Sequence, residues 1–291
     1  MNEGGFIERQ WASADGLTLR YRDYPGRADR PPILCIPGLT RNARDFEPLA
    51  DAFAGEWRVL AADLRGRGQS DYARDPASYT PAQYVADIAA LLDQAALERV
   101  VAVGTSLGGI VTMLLAATQP ERIAGAVLND IGPQIEAAGL QRIRDYVGQG
   151  RSFPTWMHAA RGLREQAGVA HPDYGISEWL RLAKRLMAVG AGGRIAFDYD
   201  MKIAEPFDAA PIGPDAPAPP DMWAMLHALA GRPVLAIRGE LSDILSPATL
   251  TRMERELPSL ATVTVPRTGH APTLEEPEAQ EAIAAMLGQV R

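Results

Sequence analysis

Gly104-Thr105-Ser106-Leu107-Gly108 fits the pattern G-x-S-x-G, a serine set between glycines. Composition alone produces that pattern often enough that its setting must carry the meaning. It directly follows an apolar run at 100–103 and opens a stretch with helical spacing at 107–118. In that strand–turn–helix context the serine stands out on a sharp elbow, exposed for nucleophilic attack. The glycines suit a turn too tight for side chains two residues either side of the serine, and Gly109 adds further backbone freedom. The plain alternative is a glycine-rich turn carrying an idle serine.

A serine hydroxyl attacks only when a base takes its proton. The chain has four histidines, His158, His171, His227 and His270. His270 lies in Thr268-Gly269-His270, after the last apolar run and before the final helical stretch, where ligands bind at strand C-termini in open α/β sheets. The other three are expected to be surface or packing residues, with His158 kept as one that could touch substrate. An acid must then orient the imidazole. Asp243, which follows the apolar run 234–238 through Gly239-Glu240-Leu241-Ser242, is the expected partner. Asp130, at the end of another such run, and Glu240 are the competitors. Backbone N–H groups must also meet the charge that develops on the attacked carbonyl. Leu107 at the helix start is expected to supply one. Leu39 in Pro37-Gly38-Leu39-Thr40 is expected to supply the other, its side chain walling an acyl pocket.

These residues need a scaffold that gathers strand ends. Short alternating segments at 6–13 and 17–24 are separated by Ala14-Asp15-Gly16 and predict an antiparallel hairpin. The run 33–36 is apolar throughout, as in strands buried on both faces. Strands at 57–62, 100–103 and 123–128 then alternate with helices at 81–96 and 107–118, the former capped by Thr80. Such alternation specifies a doubly wound, mostly parallel sheet. From 133 to 227 the rhythm breaks: helical stretches appear, with no convincing apolar strand and many aromatics, and 206–220 is expected to be irregular. The pattern resumes with a strand at 234–238, a helix at 248–256, a strand at 261–265 and a helix at 277–289. The expected organisation is a sheet domain at 1–132 and 229–291, interrupted at 133–228 by a helical cap.

Composition narrows the partners. Basic side chains number 29 against 36 acidic, a formal charge of −7 with no basic patch, which argues against nucleic acid or an anionic membrane. The N-terminal residues show no basic start followed by an apolar core, and the longest apolar stretch, 108–117, is too short to span a bilayer. A cytoplasmic location is therefore expected. Cys35 stands alone, so no intrachain disulfide can form.

Taken together, the chain resembles the α/β-hydrolase superfamily, in its capped esterase, lactonase and epoxide-hydrolase-like branch, over roughly 7–133 and 232–290. Asp63-Leu64-Arg65-Gly66-Arg67-Gly68-Gln69-Ser70 resembles the D-x-R-G-x-G-x-S segment after that family's fourth strand. Residues 239–243 resemble its acid loop, and Gly269-His270 its histidine loop. The resemblance implies an α/β-hydrolase fold of about eight strands with a helical cap inserted after the sixth. It also implies a Ser106–His270–Asp243 triad in the family's chain order, with Leu39 and Leu107 as the oxyanion hole. Many members have His-Gly where this chain has Pro37-Gly38, so the support of that loop must differ. Epoxide hydrolases and haloalkane dehalogenases use aspartate where Ser106 stands, which argues against both activities.

The expected reaction is hydrolysis of a small to medium, apolar ester or lactone through an acyl-enzyme. No metal or organic cofactor is implied. Carbon–carbon bond hydrolysis or perhydrolysis on the same triad is the alternative, although the H-G-G-G-P-G loop of many ring-fission-product hydrolases is not matched at 37–41. A non-catalytic ligand receptor is the alternative of another class. Arg41 and Asn42 could bind a substrate carboxylate, yet Asn42 could equally cap the next helix with Asp45 at the reciprocal position. In the cap, Trp156, Met157, Trp179 and Phe197 are candidates either for the substrate pocket or for the cap's own core.

Overall fold

The computed structural model describes residues 5–206 and 221–290. Eleven strands occur among them: β1 (Ile7–Ala12), β2 (Thr18–Tyr24), β3 (Ile33–Ile36), β4 (Val59–Asp63), β5 (Val100–Thr105), β6 (Ile123–Asn129), β7 (Ser152–Phe153), β8 (Met187–Val189), β9 (Ile195–Phe197), β10 (Val234–Gly239) and β11 (Leu260–Val265). Eight form one sheet in the order β1-β2-β4-β3-β5-β6-β10-β11. The β1–β2 and β2–β4 pairs are antiparallel and the other pairs are parallel.

Strands β3 to β6 and β10 are buried along their whole lengths, because helices cover both faces. Alternate residues therefore feed two cores. Leu34, Ile36, Val100 and Ala102 face α2 (Pro81–Gln94) and α3 (Leu107–Thr118), after the short α1 (Glu47–Phe53). Ile33, Cys35, Val101 and Val103 face the opposite core, which includes Leu49 and Ala50 of α1 and Ile283 near the C-terminus. The Thr80 hydroxyl accepts from the Gln83 N–H, and Pro81 occupies the first turn, so α2 begins where its cap and proline place it.

The segment 63–70 braces the sheet. The Asp63 carboxylate accepts from the amides of Ala43 (2.6 Å) and Gln69 (3.0 Å), and the Ser70 hydroxyl donates to the Asp63 carbonyl at 2.6 Å. Gly68, at φ +54°, lies so close that a Cβ there would sit 2.4 Å from the Asp63 carboxyl. Fully buried Arg65 forks onto Asp87 of α2 at 2.6 and 2.7 Å and reaches Asp15 in the β1–β2 turn. One guanidinium thus ties the antiparallel edge to a helix.

Between β6 and β10, where a cap is expected, lies an inserted segment, called the cap below: α4 (Ala137–Tyr146), α5 (Trp156–Ala167), α6 (Ile176–Leu186), the three-stranded sheet β7-β9-β8, and α7 (Met222–His227). No strand was expected there from the sequence. These are two or three residues long, too short for an apolar run to announce them. The irregular segment expected at 206–220 lies almost wholly outside the described residues. The cap has its own core of Ala159, Ala160, Leu163, Trp179, Leu182 and Leu186. It is fastened to the loop after β3, where Asn42 Nδ2 and Arg44 Nε both donate to the Arg185 carbonyl at 3.0 and 2.9 Å. The sheet domain closes with α8 (Pro247–Glu256) and α9 (Pro277–Leu287). No helix among the described residues is long and apolar enough to cross a membrane.

Removing one partner of a buried ion pair leaves the other charge uncompensated, at a cost of about 3–5 kcal/mol. Asp87→Ala is therefore expected to lower unfolding stability by about 3 kcal/mol in urea titration, whereas a loss below about 1 kcal/mol would show that Arg65 is held by Asp15 alone.

Candidate active site

Ser106 joins β5 to α3 at φ +52° and ψ −114°, outside the regions that side-chain-bearing residues favour. Close packing holds it there. A Cβ on Gly108 would lie 1.9 Å from the Ile36 carbonyl oxygen, and one on Gly104 would lie 2.3 Å from the Gly108 oxygen. Only glycine lets strand, turn and helix approach this closely.

His270 Nε2 lies 2.9 Å from Ser106 Oγ, and His270 Nδ1 lies 2.8 Å from Asp130 Oδ2. The carboxylate on His270 is therefore Asp130, and the expectation of Asp243 is corrected. Asp130 immediately follows β6, adopts φ +54° and is fully buried. That turn aims its carboxylate back under the imidazole. Its oxygens also accept from the Gly239 N–H (2.8 Å) and the Ser242 hydroxyl (2.6 Å), so the buried charge is well supplied with donors. Asp243, one residue beyond Ser242, turns away to α4, where the Arg142 fork grips it at 2.5 and 2.7 Å. Burial would raise the Asp243 carboxyl, but the bonds and charge of Arg142 outweigh it and hold it below the usual carboxylate range. Glu240 is spent on the Arg267 amide at 2.6 Å.

An anionic Asp130 accepts from Nδ1–H and leaves Nε2 free to accept from the serine hydroxyl. Among the described residues neither the Leu39 nor the Leu107 amide donates to a protein acceptor, and both residues border the cavity at Ser106. Support for the Leu39 turn comes from Arg67. This fully buried guanidinium donates from Nε to the Leu39 carbonyl at 2.9 Å and from Nη1 to the Arg65 carbonyl and the Tyr84 hydroxyl. It performs the bracing that Pro37, lacking a side-chain donor, cannot. The sequence signal was present in Asp63–Ser70, but nothing there told which arginine faced the turn.

The cavity at Ser106 measures about 70 Å³ and is lined by Leu39, Leu107, Ile110, Ile131 and Ile135, with Leu140 and Ile143 of α4 and Ile244 closing it. The cap aromatics do not border it. Trp179 is buried in the cap core, Trp156 and Phe197 pack against that core, and Met157 is exposed. His158 is exposed on the N-terminal turn of α5, its ring bonded to Thr155. Arg41 does not border the cavity either, but it and Ser106 both flank Gly38: a Cβ placed there would lie 3.4 Å from Arg41 Cγ and 3.6 Å from Ser106 Cβ. Asn42 caps the following turn by accepting from the Arg44 N–H at 3.1 Å, whereas Asp45 pairs with Arg41 at 2.9 Å instead of completing a reciprocal cap. Among the described residues no cluster of three or more His, Cys, Asp or Glu side chains could hold a metal ion.

The sequence profile described as the alpha/beta hydrolase family matches residues 33–283. The chain belongs to the alpha/beta hydrolase family. An alpha/beta hydrolase from Novosphingobium aromaticivorans, known as a crystal structure, is 59% identical, with a TM-score of 0.93 and coverage of 98% of this chain and 99% of that one. A 3-hydroxybutyrate-oligomer hydrolase from Cupriavidus necator is 32% identical over 96% of this chain and 95% of its own length. A 2-(acetamidomethylene)succinate hydrolase from Mesorhizobium japonicum is 27% identical over 94% and 92%. This alpha/beta hydrolase is accordingly an enzyme that hydrolyses small-molecule substrates.

The cap meets the histidine loop through residues the sequence did not single out. The Gly269 N–H donates to the Ala170 carbonyl at 2.6 Å, and neighbouring His171 stacks on Tyr174 with ring centroids 4.5 Å apart. Burial first, and then the Arg41 charge, lower the His171 pKa from 6.5 to about 4. A base depressed in the folded state costs stability as pH falls, because the unfolded chain takes up its proton first. Between pH 6.5 and about 4 the alpha/beta hydrolase is expected to lose roughly 3 kcal/mol through this one residue. Asp63, raised to about 6 by burial, titrates in the same window with the opposite sign, so the comparison is between wild type and His171→Phe. Equal pH dependence of urea stability in the two proteins would sink the prediction.

Proposed function

We propose that this hydrolase cleaves a carboxylic ester through an acyl-enzyme on Ser106. The observation that carries the proposal is the continuous chain of hydrogen bonds from Ser106 Oγ through His270 to Asp130, with two uncommitted amides beside the serine. Ser106 Oγ attacks the ester carbonyl while His270 Nε2 takes its proton. The tetrahedral oxyanion is met by the N–H groups of Leu39 and Leu107, donors already in place before the charge develops. Asp130 stabilises the imidazolium, which returns the proton to the leaving alkoxide as the carbon–oxygen bond breaks. Water, activated by the same imidazole, then attacks the acyl-enzyme and frees the carboxylic acid and the serine.

The aliphatic lining and small volume of the cavity favour a short, apolar acyl group over a long chain. Short-chain esters meet this condition, and the Cupriavidus relative is named for an oligomer of 3-hydroxybutyrate, a four-carbon acid. The higher identity to that relative than to the one named for acetamidomethylene succinate supports the ester reading over other bond types on the same triad.

Ser106→Ala and Asp130→Asn are each expected to lower kcat on p-nitrophenyl butyrate by about 10³-fold or more, the second through the wrong imidazole tautomer. Asp243→Asn should cost less than about tenfold, because that carboxylate is not bonded to His270. The reverse ranking of the two aspartates would return the acid's role to Asp243. Across p-nitrophenyl esters from acetate to dodecanoate, kcat/KM should peak at four carbons or fewer. Ile143→Ala should move the peak to longer chains, and an unmoved peak would mean the acyl group lies elsewhere.

A further inference from the structure

Arg41, which flanks Gly38 together with Ser106, has a fork that is unspent among the described residues. Its Nη1 donates to Asp45 at 2.9 Å, while Nε and Nη2 have no acceptor among the described residues. Arg142 differs, since its Nε and Nη2 are both consumed by Asp243. An arginine held by one nitrogen is fixed in direction, and its remaining edge matches the two oxygens of a carboxylate. The Arg41 side chain is about one-fifth exposed and Asp45 one-tenth, so the fork is partly shielded from water and loses less to screening than a surface charge.

The surroundings of Arg41 agree. Its charge acts on the Tyr146 hydroxyl, which Arg142 also approaches, and on His171, which lies near His270. Tyr146 follows Ile143, which lines the aliphatic cavity, by one helical turn on α4. A carboxylate cannot enter that cavity without losing its hydration to isoleucine and leucine side chains. It must therefore belong to the other half of the ester, the alcohol that leaves.

We infer that this enzyme selects esters whose alcohol half carries a free carboxylate, bound by the Nε–Nη2 edge of Arg41, so that its leaving group is a hydroxy acid. The inference rests on the ester reading of the Ser106 site and adds to it the charge of the substrate and the residue that reads that charge. Attack and breakdown are as described above: the ester carbon–oxygen bond breaks, and the hydroxy acid departs with the proton from His270.

Binding tests it without turnover. The ligands are 3-acetoxybutanoate and its methyl ester, titrated calorimetrically into Ser106→Ala. The acid is expected to bind at least about tenfold more tightly than the methyl ester, as suits a charge-assisted bidentate contact. Adding Arg41→Gln should bring the two affinities within about twofold, and Arg41→Lys, which keeps the charge without the fork, should give an intermediate preference. Equal affinities in Ser106→Ala, no binding of either ligand, or a preference that survives Arg41→Gln would each overturn the inference. If Arg41→Gln does not fold, the Arg41→Lys value decides: an unchanged preference counts against the fork. Turnover reports separately on the ester reading. Wild-type enzyme that cleaves neither compound nor p-nitrophenyl butyrate defeats that reading, whereas cleavage of both with no preference for the acid defeats only the carboxylate.

Discussion

Ser106 is held at φ +52° by the contact among Gly104, Gly108 and the end of β3, and the site is arranged around that contact. With no Cβ on either glycine, α3 starts almost against the Ile36 carbonyl. The same closeness places the Leu107 amide and the loop after β3 on one side of the serine. A conformation of this kind costs on the order of 1–3 kcal/mol and persists only where the surroundings over-determine it. Here they do, because β5 is buried on both faces and the Ser106 amide is itself bonded to the Asn129 carbonyl of β6.

That last bond links Ser106 to the strand end that carries Asp130. Asn129 and Asp130 are consecutive: Asn129 accepts from Ser106 N–H and donates through its side chain to the Pro272 carbonyl, and Asp130 accepts from His270. One strand end therefore sets the positions of serine, histidine loop and carboxylate together. Asp243 sits on a loop anchored by Ser242 to Asp130, but its own carboxylate faces the cap. The two acids have divided the work by environment. The fully buried one is surrounded by donors, and the half-exposed one fastens α4 through a guanidinium. Gly139 makes that fastening close, since a Cβ there would lie 2.2 Å from the Asp243 carbonyl oxygen.

The cap contributes aliphatic side chains to the site, while its aromatics divide between its own core, which holds Trp179, and the larger core, which holds Tyr199. Trp179 and Tyr174 pack on each other and on His171, a cluster that steadies the stretch meeting Gly269. Large rings contribute most when fully enclosed, and Trp179 and Tyr199 are both buried in a core. The lining falls to Leu140 and Ile143, which occupy one face of α4 while Arg142 takes another.

Local chemistry made much of this protein legible from its residues in order. The serine elbow, the buried parallel strands, the histidine after the last strand and the turn carrying Leu39 are each announced within a few residues, because a tight turn demands glycine and a two-faced strand demands an apolar run. The choice between Asp130 and Asp243 could not be made that way. Both follow strands that end at the same edge of the sheet, and the resemblance of 239–243 to the family's acid loop points to Asp243. Only the pairing of β6 with both β5 and β10, together with the left-handed turn at Asp130, decides which carboxylate lies under the imidazole. The fork of Arg67 on the Leu39 turn, the short strands of the cap and the aliphatic wall of the cavity likewise depend on residues far apart in the chain. Contacts of that range are fixed by packing, and a one-dimensional pattern carries no record of them.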